Sequence, residues 1–400
     1  DMSFLAWAGQ HLNFRSRLEA RLLKEEASTV VVPVFNATPI QNTAGHCYGN
    51  TSTMYNCGPF ATLQLPTEHR RFTRFELDFS LGCAGPRDVD CPQWDHIVTA
   101  QVCVMSPTPE GDLWCDSQNS GVEFGRWITT FSRGIGRWTT DVSPLAPLFG
   151  PGGSSVNITI ITVPWAGNQG EIPWTATLNL RFSESVASQE TLLPLALTVP
   201  WYGAAEATWN TSSNGVYTYF RWIPFNQSYE DFFGEITITP PPNATAAELV
   251  AVISGHGNDN NGCGEFCSTL HEFSFSPAEE TVRVFHYDVF EGTPSGERGC
   301  ADGVFAGTTP NEYGTWLYGR DGWCNGREVG PRRRNITHLV QWGAGATTTM
   351  QYKGLWCAEP DSCTTPDPAS NVQGSPVMMV RNYLVFYAPA SAVLSSTNVV

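Results

Sequence analysis

The chain has 400 residues, only 15% of them charged, and carries a net charge of −16 at neutral pH. That charge excludes nucleic acid and anionic membrane surfaces as partners, because both would repel it, and no run approaches the roughly 20 apolar residues of a membrane span. Glycine (37), proline (28), tryptophan (14) and phenylalanine (22) are plentiful, a profile that fits a loop-rich, all-β extracellular protein and not a helical cytosolic enzyme.

Residues 1–29 hold the one clear helical pattern. Phe14, Leu18 and Leu22 recur at four-residue intervals between about Ser3 and Ala27, with Arg15, Arg17, Glu19 and Arg21 off that line. This predicts a helix packed on the main body. The chain opens at Asp1 without a charged and apolar leader pattern, so a signal peptide is expected to have been removed. From about Val30 the period changes to two. Phe75, Leu77, Phe79 and Leu81 alternate with Glu76, Asp78 and Ser80, which describes a half-buried strand. Cys83 and Cys91 then close a short loop that delivers Trp94-Asp95-His96 to the start of the next strand. There Val98, Ala100, Val102 and Val104 alternate with Thr99, Gln101 and Cys103. Asp95 shares the parity of Thr99 and Gln101, so it is expected to face solvent or a cleft. Two more strands, Val156–Val163 and Ala176–Phe182, complete a first domain over 30–187, with Trp165 exposed after the former.

A second domain is expected over 188–390, with strands at Glu235–Thr239, Leu249–Ile253, Thr281–Val289 and Val377–Tyr387 and a loop at Pro240-Pro241-Pro242. Residues 391–400 read as an unstructured tail. Many short alternating strands punctuated by glycine, proline and asparagine predict β-sandwiches or jelly rolls. The most informative stretch runs from Gly255-His256-Gly257 to Cys263-Gly264-Glu265-Phe266-Cys267. Its two cysteines are four residues apart, and a bridge that short is suited to fixing a group, here Glu265, pointing outward. Further on, Thr315-Trp316 and Arg320-Asp321-Gly322-Trp323-Cys324 form an aromatic turn with one arginine.

The twelve cysteines fall mostly in short-range pairs, 47/57, 83/91, 103/115, 263/267 and 357/363, leaving Cys300 and Cys324 for a sixth. They read as a disulfide framework and not as metal ligands. Sequons at Asn36, Asn50, Asn157, Asn210, Asn226, Asn243 and Asn335 favour a eukaryotic secretory route, secreted or lumenal. Carboxylates and an arginine on disulfide-anchored loops beside several indoles suit carbohydrate chemistry, since sugar C–H faces stack on aromatics while charged groups take the hydroxyls.

Together these segments resemble the peptide-N-glycosidase F family, the peptide-N4-(N-acetyl-β-glucosaminyl)asparagine amidases. Cys91-Pro92-Gln93-Trp94-Asp95 matches its C-x-x-W-D motif. Gly262–Cys267 with His271 matches its G-C-A-E-[WF]-C run and following histidine, and Thr315-Trp316 with 320–326 matches its [NT]-W and R-x-G-W-C-x-G run. The resemblance implies two adjacent antiparallel jelly rolls with a site in the cleft between them. It implies hydrolysis of the amide between the innermost GlcNAc of an N-glycan and asparagine, without metal or organic cofactor. Asp95 takes the place of the principal catalytic aspartate, Glu265 of the second carboxylate, and Arg320 of the substrate arginine. Trp94, His96, Trp165, His256 and Trp323 are the further expected substrate contacts. The implied disulfides are 83–91, 263–267 and 300–324, the substrates N-glycosylated peptides and glycoproteins, and the chain a monomer. Val163 stands where bacterial members carry an acid, with Glu171 near enough in sequence to replace it. His96 stands for an arginine, which predicts pH-sensitive sugar contacts suited to an acidic compartment. Two other classes remain: a glycan-binding jelly roll without turnover, and a copper monooxygenase, for which His256, His271 and His286 are too scattered to form a ligand set.

Overall fold

The computed structural model describes residues 4–40, 59–107, 113–114, 121–133, 136–162, 173–185, 188–201, 222–257, 264–285, 300–317, 319–359, 362–366 and 376–396. A 22-residue helix, α1 (Phe4–Glu25), precedes ten strands: β1 (Val30–Pro39), β2 (Phe60–Gln64), β3 (Phe72–Cys83), β4 (Ile97–Val104), β5 (Ser106–Pro107), β6 (Leu113–Trp114), β7 (Val122–Ile128), β8 (Gly136–Asp141), β9 (Ser155–Thr162) and β10 (Trp174–Ser185). They form two four-stranded antiparallel sheets, β1-β10-β3-β8 and β2-β9-β4-β7, while β5 and β6 pair separately. Ten more strands follow: β11 (Leu192–Thr198), β12 (Trp222–Pro224), β13 (Ile236–Ile238), β14 (Ala246–His256), β15 (Ser268–Ser276), β16 (Glu280–Phe285), β17 (Arg332–Asn335), β18 (Thr348–Glu359), β19 (Ser362–Thr364) and β20 (Val377–Pro389). They build the sheets β11-β20-β14-β17 and β13-β18-β15-β16, with β12 added to β20 and β19 to β18. None of these sheets mixes strands from before Ser185 with strands from after Leu192. The all-β reading with two antiparallel jelly rolls and an N-terminal helix therefore stands.

The alternation in β3 works as expected on one side: Phe75, Leu77, Phe79 and Leu81 are buried in the first core. The other side is not open to water. Glu76 and Asp78 are also buried. Arg21 of α1 reaches Glu76 at 3.2 Å and Thr139 Oγ1 at 2.6 Å. Arg74 meets Glu76 at 3.0 Å, and Arg137 forks onto Asp78 through two bonds of 2.8 Å. Helix α1 thus covers this polar face, with Leu18 and Leu22 buried beneath it.

The face of β4 expected to meet solvent or a cleft meets the second domain: Thr99 and Gln101 are buried there, while Asp95 meets Asn325. Thr99 and Gln101 pair with Arg126 and Glu123 of β7. Arg126 binds Glu123 at 2.7 and 3.0 Å and crosses to Ser254 Oγ (2.8 Å) and the Met379 carbonyl (2.9 Å). The Tyr383 hydroxyl donates back to the Glu123 carbonyl. The first core also continues into the second domain through Val250, Val252, Met379, Tyr383 and Val385.

The described part of the tail expected to be unstructured, up to Ser396, instead forms a short helix, α2 (Ala390–Ser396). Val393 is buried there in a small cluster with Leu193, Ala388 and Ala390. Disulfides join 83–91, 300–324 and 357–363. Cys103 and Cys267 are also disulfide-bonded, while Cys47, Cys57, Cys115 and Cys263 lie outside the described residues. Among the sequons, Asn157 is buried in β9 and cannot carry a glycan in the folded chain, whereas Asn36, Asn243 and Asn335 are exposed.

Candidate active site

The cleft is assembled by strand addition across the two domains. β7 is the edge of its sheet, and a segment of the second domain pairs with that edge. Ile128 N donates to Arg327 O at 2.8 Å and Val329 N to Arg126 O at 2.8 Å. An exposed edge invites such pairing, and here it fixes the register between the domains. Ile97, the first residue of β4, lies opposite Ile128, so the residues just before β4 and those just before Arg327 come together. These are Asp95 and Asn325. The Asn325 amide donates to Asp95 Oδ2 at 3.1 Å.

Thr129 holds the backbone on both sides of Asp95. Its hydroxyl donates to Trp94 O (2.8 Å) and accepts from His96 N (2.6 Å), and its own N–H donates to His96 O (2.8 Å). Asp95 is thereby presented from a fixed backbone, half-buried on the cleft floor. From the second domain, Glu265 N donates to Gly257 O (2.7 Å), Asp321 N to Glu265 O (2.8 Å) and Gly255 N to Asp321 O (2.9 Å). This close backbone packing needs glycine. A Cβ at Gly255 would lie 2.0 Å from Gly264 O, and Gly264, at φ +96°, would meet Gly257 O at 2.5 Å. Arg320 Nε donates to Glu265 Oε1 at 2.7 Å, and its guanidinium lies 4.3 Å over the Phe266 ring and 5.5 Å from that of Trp323.

The charges act on one another. Burial, and next the charge of Glu265, push the Asp95 carboxyl up to about 8, against opposing pulls from Arg320 and the Asn325 hydrogen bond. Burial also raises Glu265, and the Arg320 guanidinium resists that shift. With its carboxyl raised to about 8, Asp95 holds a proton near neutrality. Glu312, exposed on a turn pinned by the buried side chain of Asn311, adds a further acidic group that raises Glu265.

Trp94 stands 44% exposed at the rim, 5.8 Å from Phe131, and Phe266 is 40% exposed opposite. Trp323 and His256 are buried in the wall instead. Trp323 Nε1 donates to Gly255 O at 2.7 Å, and His256 stacks on the indole at 5.6 Å while pairing with Ser254 Oγ at 2.7 Å. The pH-sensitive contact expected of His96 does not follow. Burial pushes His96 down to about 4, which keeps the ring neutral above that pH. Trp165, Val163 and Glu171 lie outside the described residues. The sequence reading missed Asn325, Thr129 and Glu312. Asn325 sat inside the 320–326 motif and was within reach, whereas nothing in the sequence marks Thr129.

Comparison with family models gives two matches in order, to "Peptide-N-glycosidase F, N terminal" over residues 31–182 and to "Peptide-N-glycosidase F, C terminal" over 225–385. The chain belongs to the peptide-N-glycosidase F family. No curated protein sequence matches it. Solved structures of similar fold include PNGase F, a glycosylasparaginase from Flavobacterium meningosepticum, at 16% identity and a TM-score of 0.56, covering 90% of this chain and 96% of that one. A peptide-N(4)-(N-acetyl-beta-D-glucosaminyl) asparagine amidase matches at 17% identity and a TM-score of 0.55, covering 90% and 97%. PNGF-II matches at 13% identity and a TM-score of 0.56, covering 92% of this chain and 67% of its own. Disulfides and membership of the peptide-N-glycosidase F family point to an extracellular chain, and no described helix is long and apolar enough to cross a membrane.

Proposed function

We propose that this chain is an N-glycan amidase that hydrolyses the bond between the innermost GlcNAc and asparagine, leaving aspartate in the peptide and releasing a glycosylamine. The observation that carries this reading is the meeting of Asp95 from the first domain with the Glu265–Arg320 pair of the second in one cleft, where the charge of Glu265 adds to burial in raising the Asp95 carboxyl. Two carboxyls with different tendencies to ionise suit a reaction that must both activate water and protonate a leaving nitrogen. Glu265, held toward its ionised form by Arg320, accepts a proton from the water that attacks the amide carbonyl carbon. As the C–N bond breaks, Asp95 gives its proton to the departing glycosylamine nitrogen, and the Glu265 proton later restores Asp95 through solvent. Arg320 orients Glu265 and the amide oxygen, and Trp94 and Phe266 offer their exposed faces to sugar.

The domain limits 30–187 and 188–390, the monomeric state and the absence of nucleic acid among the partners belong to this proposal. So does a eukaryotic secretory origin, which rests on the sequons. A glycan-binding protein without turnover would have no use for a protonated aspartate beside an ion-paired glutamate. Incubating an N-glycopeptide with the chain in ¹⁸O water should give one ¹⁸O in a new aspartate. Asp95→Asn should lower that rate by roughly 10²–10⁴-fold. Full activity of the variant would remove Asp95 from the chemistry, and glycopeptide bound but never converted would favour the non-catalytic reading.

A further inference from the structure

Behind the cleft runs a chain of buried polar side chains that the reaction itself does not use. Asp321 follows Arg320, but its side chain is fully buried. Its Oδ1 accepts from Thr269 Oγ1 at 2.7 Å, Thr269 Oγ1 meets His271 Nε2 at 3.0 Å, and His271 Nδ1 meets the Tyr352 hydroxyl at 2.6 Å. Tyr352 in turn meets the Tyr229 hydroxyl at 2.8 Å. Thr269, His271 and Tyr229 are as buried as Asp321, and Tyr352 nearly so. Among the described residues Asp321 has no ion-pair partner, and its Oδ2 lies beside Gly255 without a hydrogen bond.

Such a group is a poor stability device. An apolar side chain of similar size would avoid the desolvation cost of a buried carboxyl. What the arrangement supplies is orientation. The Asp321 backbone donates to Glu265 O and accepts from Gly255 N, so one residue ties together the Glu265 loop, the end of β14 and Arg320. We propose that Asp321, Thr269, His271 and Tyr352 are positioning residues that fix the Glu265–Arg320 pair, with Asp321 as the link between the buried chain and the cleft.

The directions of the bonds follow. Burial pushes the Asp321 carboxyl well up; with its proton on Oδ2, Oδ1 accepts from the Thr269 hydroxyl, so Thr269 accepts from His271, whose Nε2 carries the proton. His271 Nδ1 then accepts from Tyr352, which accepts from Tyr229. Burial pushes His271 down to about 3, so the ring is neutral, and the bonds to Thr269 and Tyr352 then fix which nitrogen carries its proton. Removing Asp321 frees the Thr269 hydroxyl to donate to His271 Nε2, which moves the ring proton to Nδ1.

The kinetic part of the test rests on the amidase reading. Asp321→Ala should lower kcat on an N-glycopeptide by about 10²-fold with KM changed less than about twofold, as expected for a small misplacement of reacting groups. Asp321→Asn keeps an oxygen for Thr269 and should restore kcat to within about threefold. The loss on Asp321→Ala should vanish in an Arg320→Ala background, because it acts through that arginine. Equal losses in both backgrounds, or an Asn variant as slow as the Ala variant, overturn the proposal. Thr269→Val breaks the same chain one bond further along and replaces Asp321→Ala in the cycle if the latter does not fold. If the unmodified chain does not cleave the glycopeptide, the amidase reading fails and ¹⁵N spectra of the His271 ring decide. A switch from the Nε2–H to the Nδ1–H tautomer in the Asp321 variant upholds the coupling, and an unchanged ring refutes it.

Discussion

Asp95 meets two opposed demands. Catalysis needs a carboxyl that keeps its proton, and the fold achieves this by burying the group near Glu265. An unfolded aspartate titrates near 3.9, so between about pH 4 and 8 the folded chain holds a proton that the unfolded chain lacks. Stability from this group therefore falls as pH rises through that window. Asparagine has no proton to hold. Asp95→Asn should therefore be more stable than the natural chain at pH 7.5 by roughly 1 kcal/mol or more, with the gain gone below about pH 4. Thermal melts of both proteins check this, and a lower melting point for the variant at pH 7.5 would contradict the proton assignment. The natural chain's kcat/KM should fall as pH passes about 8 and Asp95 loses its proton. Asp95, Glu265 and Arg320 were legible in the sequence because each sits in a short run with cysteine or tryptophan neighbours. Thr129 was not, since a threonine after an edge strand carries no signal until the strand pairing that places it is known.

At the level of elements, period-two alternation identified the strands but misjudged what covers them. β3 was expected to be half-buried and the polar side of β4 to face solvent or a cleft, yet Glu76 and Asp78 are buried on the α1 side, and Thr99 and Gln101 under the second domain. Alternation reports the chemistry of a face and not its access to solvent, and charged faces can be covered when arginines supply partners. Asp78 with Arg137 and Glu123 with Arg126 are of that kind. The helix itself was predicted, but its second contact was not. Arg17 Nη2 donates to Phe305 O at 2.9 Å, and Phe14 packs on Gly307, where an added Cβ would come within 2.5 Å of its ring. Both contacts fall on the 3-10 turn Ala301–Ala306 and the glycine that ends it. That turn lies inside the 300–324 disulfide loop. Two residues beyond Gly307, Thr309 N and Oγ1 each bind Asn325 O at 3.0 Å. Helix α1 thus braces the loop that delivers Asn325 to Asp95. A chain lacking residues 1–28 should remain folded in its β domains and lose about tenfold or more in kcat/KM, with recovery on adding a peptide of residues 1–28. Unchanged kinetics would reduce the helix to a cover for β3. Gly307→Ala should act the same way more mildly, since its φ of +97° disfavours any Cβ even without Phe14.

For the molecule as a whole, seven histidines and carboxyls with shifted titration shape how stability follows pH between about pH 4.5 and 9. Burial lowers four histidines, His69 and His96 to about 4, His271 to about 3, and His256 also downward. It raises three carboxyls, Asp95 to about 8, with Glu265 and Asp321 also upward. The unfolded histidines titrate near 6.5. Between about pH 4.5 and 6 the unfolded chain holds nearly four protons on these histidines, more than the folded chain keeps on Asp95 and Asp321, so stability from these groups rises with pH. The histidine term is half gone at about pH 6.5 and absent above about pH 7.5, where the carboxyl term alone remains and stability falls, by up to about 1.4 kcal/mol per pH unit for each proton still held. The two branches meet in a maximum between about pH 6 and 7. Urea midpoints measured from pH 5 to 9 test this directly. The alkaline branch should flatten in Asp95→Asn and in Asp321→Asn, and a midpoint that climbs steadily through pH 8 in the natural chain would mean that these carboxyls are ionised in the fold and that the cleft is more open to water than its packing indicates.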